Sequence, residues 1–364
     1  MGLTGRQTET GRNMDSLEIF GVLGFMLAAY AVVANDSIQT LGTFISSNKR
    51  LPWWALWGFA SGILVATIAY GYFHGAGDIA YERLDKLSVL PGEGNRSGVL
   101  QPGIQWWHAL PPLILLVITR FGIPVSTTFL VLTLFALSGG AATSGVLTSM
   151  LVKSAMGYIV AFGVGILIWV VISHTFERWV FHTREELPWP YWVIFQWITT
   201  AFLWSQWLMQ DLANIFIYLP RHVTIADGET TVSFGLVAVI FGTALLVLIQ
   251  GYIFATKGGQ IQRIVERKVN TIDVRAATVV DLIYALILLF FKEINNVPMS
   301  TTWVFLGLLA GRELAISYIA GLRDRNEAVR DVTGDAARAF FGLIISIALA
   351  FAMPLLGTGR LPVF

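Results

Sequence analysis

The chain contains no cysteine, which excludes disulfides, thiolate metal sites and thiol nucleophiles together. Charge is nearly as scarce. Asp, Glu, Lys and Arg make up 13% of the 364 residues, against about a quarter in an ordinary soluble domain. The formal net charge of +1 provides no basic surface for a nucleic acid. Histidine is limited to five residues without metal-ligand clustering, and no Gly-rich phosphate loop is present. Serine-based hydrolysis would need a histidine base that the candidate serines lack, so the chain does not read as an enzyme.

Apolar residues are abundant, at 55% of the chain, with a mean hydropathy of +0.67. Stretches 17–33, 53–73, 155–172, 192–209, 232–255, 276–291 and 340–356 approach or reach the roughly 17–25 residues that a helix needs to cross a bilayer. Tryptophans gather near the ends of such stretches, at Trp53-Trp54, Trp106-Trp107 and Trp189, where amphipathic rings settle at the headgroup level. The first stretch resembles a signal-peptide core, but Asp15 and Glu18 at its start and its length argue that it is retained as a span. The expected fold is therefore an all-α polytopic transmembrane helix bundle in a plasma membrane, such as a bacterial inner membrane.

The stretches repeat in order. An apolar run ends in Asn35-Asp36-Ser37-Ile38-Gln39, and well downstream comes Pro124-Val125-Ser126-Thr127-Thr128. Later, a second run ends in Gln210-Asp211-Leu212-Ala213-Asn214, followed by Pro298-Met299-Ser300-Thr301-Thr302. Asp36 and Ser126 are 90 residues apart, and Asp211 and Ser300 are 89 apart. Chance would have to match motif, order and distance at once, and internal repeats of this kind mark secondary transporters. The chain divides into a tail (1–15), a first repeat (16–185) and a second repeat (186–364). The loop 74–103 sums to −1 and its counterpart 256–275 to +3. Because basic loops stay cytoplasmic, equivalent loops are expected on opposite sides, which makes the repeats inverted.

A carboxylate inside a bilayer is costly, by about 2.5–3.5 kcal/mol at a helix centre. Asp36 and Asp211 both adjoin apolar runs, and their matching places point to a shared site. Pro124 and Pro298 suit the first turn of a helix, and Ser126 and Ser300 suit the capping position before free backbone N–H groups. Each Ser-Thr-Thr segment thus offers hydroxyls, amide donors and a positive dipole end to an anion, with broken or re-entrant helices as the carrier of that geometry. The carboxylates would repel an anion unless a cation or a proton accompanied it, so the two movements are expected to be coupled. Asp281 lies within a stretch but near the basic loop, where pairing or an interfacial position is expected.

These motifs resemble the inorganic phosphate transporter (PiT) family of sodium- or proton-coupled carriers. Ala34, Asn35, Asp36, Gly42 and Thr43 match its first motif, while Val33 and Gln39 depart from it. Asp211, Ala213 and Asn214 match in the second half, where Gln210 replaces Asn. Both Ser-Thr-Thr cores match, but the following His is Phe129 in one copy and Trp303 in the other. The resemblance implies that Asp36, Asp211, Ser126, Thr127, Thr128, Ser300, Thr301 and Thr302 surround a tetrahedral anion. It likewise implies that Asn35, Asp36, Gln39, Gln210, Asp211 and Asn214 hold the cation, Na⁺ or a proton. Phosphate is the expected substrate, with sulfate as the alternative and an anion channel as the rival from another class. The sequence leaves open whether the protein acts as a homo-oligomer.

Overall fold

The computed structural model describes residues 6–85, 104–121, 123, 125–132, 135, 144–186, 188–226, 229–256, 273–294 and 300–358. Helix α1 (Arg6–Val32) passes through one π-helical turn (Val33–Ser37) into α2 (Ile38–Ser47), and α3 (Trp53–His74) follows. A short 3₁₀ turn (Trp106–Ala109) leads into α4 (Leu110–Arg120), and a π turn spans Thr128–Leu132. Helix α5 (Ser144–Ile172) continues through a π turn (Ser173–Glu177) into the short α6 (Arg178–His182). Then come α7 (Pro190–Phe216), the antiparallel hairpin β1 (Arg221–Ala226) and β2 (Glu229–Phe234), and α8 (Leu236–Ala255). The chain closes with α9 (Val274–Ile294), α10 (Thr301–Ala315) with a further π turn (Ile316–Ala320), and α11 (Arg325–Thr358).

Seven helices among the described residues are long and apolar enough to cross a membrane: Ile19–Asp36, Trp53–His74, Val152–His182, Leu236–Ala255, Val274–Phe291, Thr301–Ala320 and Arg325–Gly357. Several carry their apolar side chains outward. Ile159, Leu167 and Val171 of α5 and Val237 and Leu248 of α8 are all exposed. A helix that is apolar on its outer face as well as its inner one is matched to lipid rather than to water. The protein is an all-α polytopic membrane bundle.

Two of the expected stretches come out differently. Residues 192–209 lie within α7, which is not one of the seven. Its tryptophans and glutamines lower its hydropathy, and most of its second half, with Gln210–Phe216 throughout, is buried by the protein itself. Stretch 232–255 begins four residues late as a helix, because Val232, Ser233 and Phe234 belong to β2 and Gly235, extended at ψ 141°, is the N-cap of α8.

Helices α5 and α10 make the closest crossing. An added Cβ at Gly307 would lie 2.5 Å from the Tyr158 carbonyl oxygen, and one at Gly311 would lie 2.3 Å from that of Phe162. Across the gap, a Cβ at Gly165 would meet the Leu308 carbonyl at 2.7 Å. Small residues spaced by four let two backbones approach where lipid supplies no hydrophobic drive for association. Since the obstacles are backbone atoms, Gly311→Leu is expected to prevent close packing of α10 on α5. Monodisperse protein on size-exclusion chromatography should fall to a small fraction of the wild-type yield, whereas Gly163→Leu, which meets nothing within 4 Å, should not change it.

Candidate functional site

In the first half of the chain Asp36 is buried on the π turn that joins α1 to α2. In the π turn Val33–Ser37 the wider winding disturbs the regular ladder, and the Thr40 hydroxyl donates to the Asp36 carbonyl at 3.1 Å. The Asn35 amide reaches both ways, donating to Asp36 Oδ1 (2.7 Å) and to the Val125 carbonyl (2.9 Å). That second bond ties the aspartate segment directly to the residue preceding Ser126.

In the second half of the chain Asp211 sits within an unbroken helix, α7, which continues to Phe216. The Ser-Thr-Thr segment there behaves as its residues dictate. Ser300 is the N-cap of α10, with extended backbone, and its Oγ accepts from Trp303 N at 3.2 Å. Its own N–H donates to Ser154 Oγ at 3.0 Å. The equivalent segment of the first half begins a π turn at Thr128. Pro124 and Pro298, and the side chain of Gln39, lie outside the described residues.

The four elements converge. Thr127 Oγ1 donates to Asp36 Oδ2 at 2.5 Å, and Thr301 Oγ1 donates to Asp211 Oδ2 at 2.8 Å. In each half, the first threonine of the motif therefore bonds its own half's aspartate. The second threonines cross over. Thr128 Oγ1 donates to Asp211 Oδ1 (3.4 Å) and Thr302 Oγ1 to Asp36 Oδ1 (3.3 Å). Asn214, one turn after Asp211, donates to Asp211 Oδ1 (2.6 Å) and lies within hydrogen-bond distance of Thr127 Oγ1 (3.0 Å) and Thr128 Oγ1 (3.3 Å). All of these side chains are buried, as are Ser126, Ser300 and Gln210.

The geometry adjusts one expectation about roles. The threonine hydroxyls do not stand free for an anion, because each proton is engaged by a carboxylate oxygen. A hydroxyl carries one donor and two acceptor lone pairs, so a proton given to Asp is unavailable to a ligand until it rotates. Among the described residues, the carboxamide oxygens of two motif residues, Asn214 Oδ1 and Gln210 Oε1, are buried without a hydrogen-bond partner. The other end of Gln210 donates to the Leu288 carbonyl at 3.3 Å. Amide oxygens of this kind are hard oxygen donors of the type that a small cation prefers.

Asp281 and Arg83, both outside the motifs, are also buried. Asp281 was expected near the basic loop as a paired or interfacial group. Instead it is 1% exposed and accepts from Thr43 Oγ1 (2.6 Å) of α2 and Thr200 Oγ1 (2.7 Å) of α7. Hydroxyl donors from two neighbouring helices satisfy it inside the protein. Arg83, in the loop after α3, is also buried, and nothing in its local sequence separates it from the other charges of that loop.

No protein-family model matches the chain, and no curated protein matches its sequence. Its fold is similar to that of a solved structure described as the sodium-dependent phosphate transporter, with a TM-score of 0.53 and 16% sequence identity. The similarity covers 94% of this chain and 99% of that one.

Proposed function

We propose that this protein is a cation-coupled secondary transporter of a small inorganic anion, phosphate in the first place. The observation that carries this reading is the buried cluster in which two aspartates share four threonine hydroxyls, two from each half of the chain. A purely structural aspartate needs donors from its surroundings, but not a matched set drawn reciprocally from both halves. The similarity of fold to a sodium-dependent phosphate transporter supports the same reading.

The hydrogen bonds supply a coupling mechanism. While Asp36 and Asp211 hold the threonine protons, an oxyanion entering the cluster meets two negative charges and no free hydroxyl donor. A sodium ion bound by Asp211 with Asn214 Oδ1 and Gln210 Oε1 neutralises one carboxylate and releases Thr128 and Thr301 to turn toward the anion. A cation at Asp36 does the same for Thr127 and Thr302. Ser126 and Ser300 mark the starts of the two segments, whose backbone N–H groups add further donors. Cation binding thus precedes and strengthens anion binding, and linkage requires that the anion strengthen cation binding by the same factor. Because the cluster is buried, entry and exit require the helices that enclose it to move. That distinguishes a carrier from an open channel.

Phosphate is favoured over sulfate because it retains a hydroxyl donor near neutral pH and an ionised aspartate is an acceptor only. Sites built around such a hydrogen bond reject analogues lacking it by factors of about 10⁴–10⁵ at the extreme. The test is uptake into proteoliposomes with sodium and proton gradients imposed separately. Radiolabelled phosphate should accumulate under an inward sodium gradient, saturate with concentration, and persist in an equal concentration of sulfate. Inhibition by equal sulfate would move the assignment to sulfate. Rapid, unsaturable flux independent of either gradient would replace the carrier with a channel.

A further inference from the structure

We propose that Arg83 is a ligand of the transported oxyanion, a role that rests on the transporter reading above and adds a cationic donor that the motif residues lack. Its guanidinium is 1% exposed, and neither Nη1 nor Nη2 has a hydrogen-bond partner among the described residues. A guanidinium presents a rigid planar fork of N–H donors that matches two oxygens of a phosphate or carboxylate. Leaving that fork buried and unpaired is among the least favourable arrangements a side chain can adopt, so its placement calls for an oxyanion partner.

The position of Arg83 relates it to the cluster. Asp211 is the acidic group whose charge acts on the guanidinium. Burial lowers the Arg83 pKa to about 10 and the Asp211 charge opposes that shift, so the side chain stays cationic at neutral pH. Yet the two do not pair. The Asp211 oxygens accept from Thr301, Thr128 and Asn214 instead. The neighbours Ile79, Ala80 and Leu84 are buried in the same core as Leu208 and Leu212, which flank Asp211 on α7. Arg83 is thus buried within reach of the Asp211 charge, with both Nη groups uncommitted.

The loop that carries it is built to hold one conformation. Ala76, Tyr81 and Glu82 have φ of 50°, 53° and 62°, left-handed values that side chains adopt only when the surroundings impose them. Asp78 closes the turn, accepting from Ala80 N (2.7 Å) and Glu82 N (2.5 Å), and the Tyr81 hydroxyl donates to the Thr67 carbonyl at 2.6 Å. Strand β2 clamps both ends: Phe234 N donates to the Gly77 carbonyl at 2.9 Å, and Val232 N donates to Asp85 Oδ1 at 3.0 Å. Gly77, at φ 93°, is needed for this contact, since a Cβ there would lie 3.2 Å from Ser233 Cβ. Backbone strain held in place by a hairpin, with a buried cation at its end, is the preorganisation that a binding residue requires.

The test uses purified full-length protein in sodium-containing buffer, with inorganic phosphate as the probe. Phosphate affinity is read by titration calorimetry, and the unfolding temperature is read with and without phosphate. Arg83→Met keeps the apolar stem and removes the fork. It should bind phosphate about 10- to 100-fold more weakly, as expected for a lost charge-assisted contact. It should bind sodium no more weakly, and without phosphate it should unfold no earlier than wild type. Arg83→Lys, a point charge without the fork, should fall between the two. Unchanged phosphate affinity in Arg83→Met would overturn the assignment while leaving the transporter reading intact. A lowered unfolding temperature without phosphate, or failure of the Met variant to fold, would make Arg83 structural and overturn it as well. Wild-type protein that binds neither phosphate nor sulfate would sink both readings together.

Discussion

Asp36→Asn and Asp211→Asn are each expected to lower sodium-driven phosphate uptake by about 100-fold or more, since at least two charge-assisted hydrogen bonds of roughly 1.5–3 kcal/mol each are at stake in either substitution. Each carboxylate accepts from one threonine of its own half, one of the other half, and one neighbouring amide. Asparagine preserves the shape but turns one acceptor oxygen into a donor and removes the charge that holds the cation. The threonine hydroxyls can rotate to accept from the new NH₂, so the variants should still fold and elute as the wild type does. The loss should therefore appear in uptake and in sodium affinity, not in yield. Wild-type rates with normal sodium dependence in either variant would reduce that aspartate to a structural residue.

The second large effect lies far from the cluster on the same helix. Arg312, 0% exposed near the end of α10, donates from Nε (3.1 Å) and Nη2 (2.8 Å) to Glu177 Oε1 and lies 3.5 Å from Glu313 Oε1. Glu313 in turn pairs with Arg323 at 2.6 Å, and Arg323 also pairs with Asp331. Trp169 Nε1 donates to Glu177 at 2.8 Å, so buried charges join the end of α5 to α10, and the part-exposed Arg323–Asp331 pair carries the link on to α11. At 1.5 Å per residue, Arg312 stands about 18 Å along the helix from Ser300.

Arg312→Met should destabilise the protein by about 3–5 kcal/mol, because it removes the guanidinium that the buried Glu177 carboxylate accepts from. Glu313 keeps Arg323, so the damage should be concentrated at Glu177. Adding Glu177→Gln to Arg312→Met should accordingly recover much of the lost unfolding temperature in detergent. A double variant no more stable than the single one would show that the arginine acts through packing on Trp169, whose ring lies 5.6 Å from the guanidinium carbon.

How far the sequence reaches is clear from particular residues. Apolar length located six of the seven spans among the described residues, since the thickness of a bilayer is a constraint that composition alone can meet, but it missed Thr301–Ala320 and offered 192–209 instead. The repeated Asp and Ser-Thr-Thr motifs selected residues that the structure does bring together, because a costly buried carboxylate repeated in register needs a shared set of donors. The helical capping by Ser300 was equally local and equally legible.

Other features depended on contacts distant in sequence. That Asp211 lies inside a continuous helix while Asp36 lies on a π turn follows from packing around α7, which no local signal encodes. Asp281 looked interfacial because its donors, Thr43 and Thr200, come from helices far away in the chain. Arg83 is one charge among several in its loop until the β1–β2 hairpin presses that loop inward. The direction of the threonine protons, toward Asp36 and Asp211 rather than an open site, is also a tertiary fact. Local sequence sets helix propensity, apolar length and capping within a few residues of each position. Which donor meets which acceptor across about 90 residues or more is decided only when the helices pack, because a buried polar group must then find a partner wherever the fold supplies one.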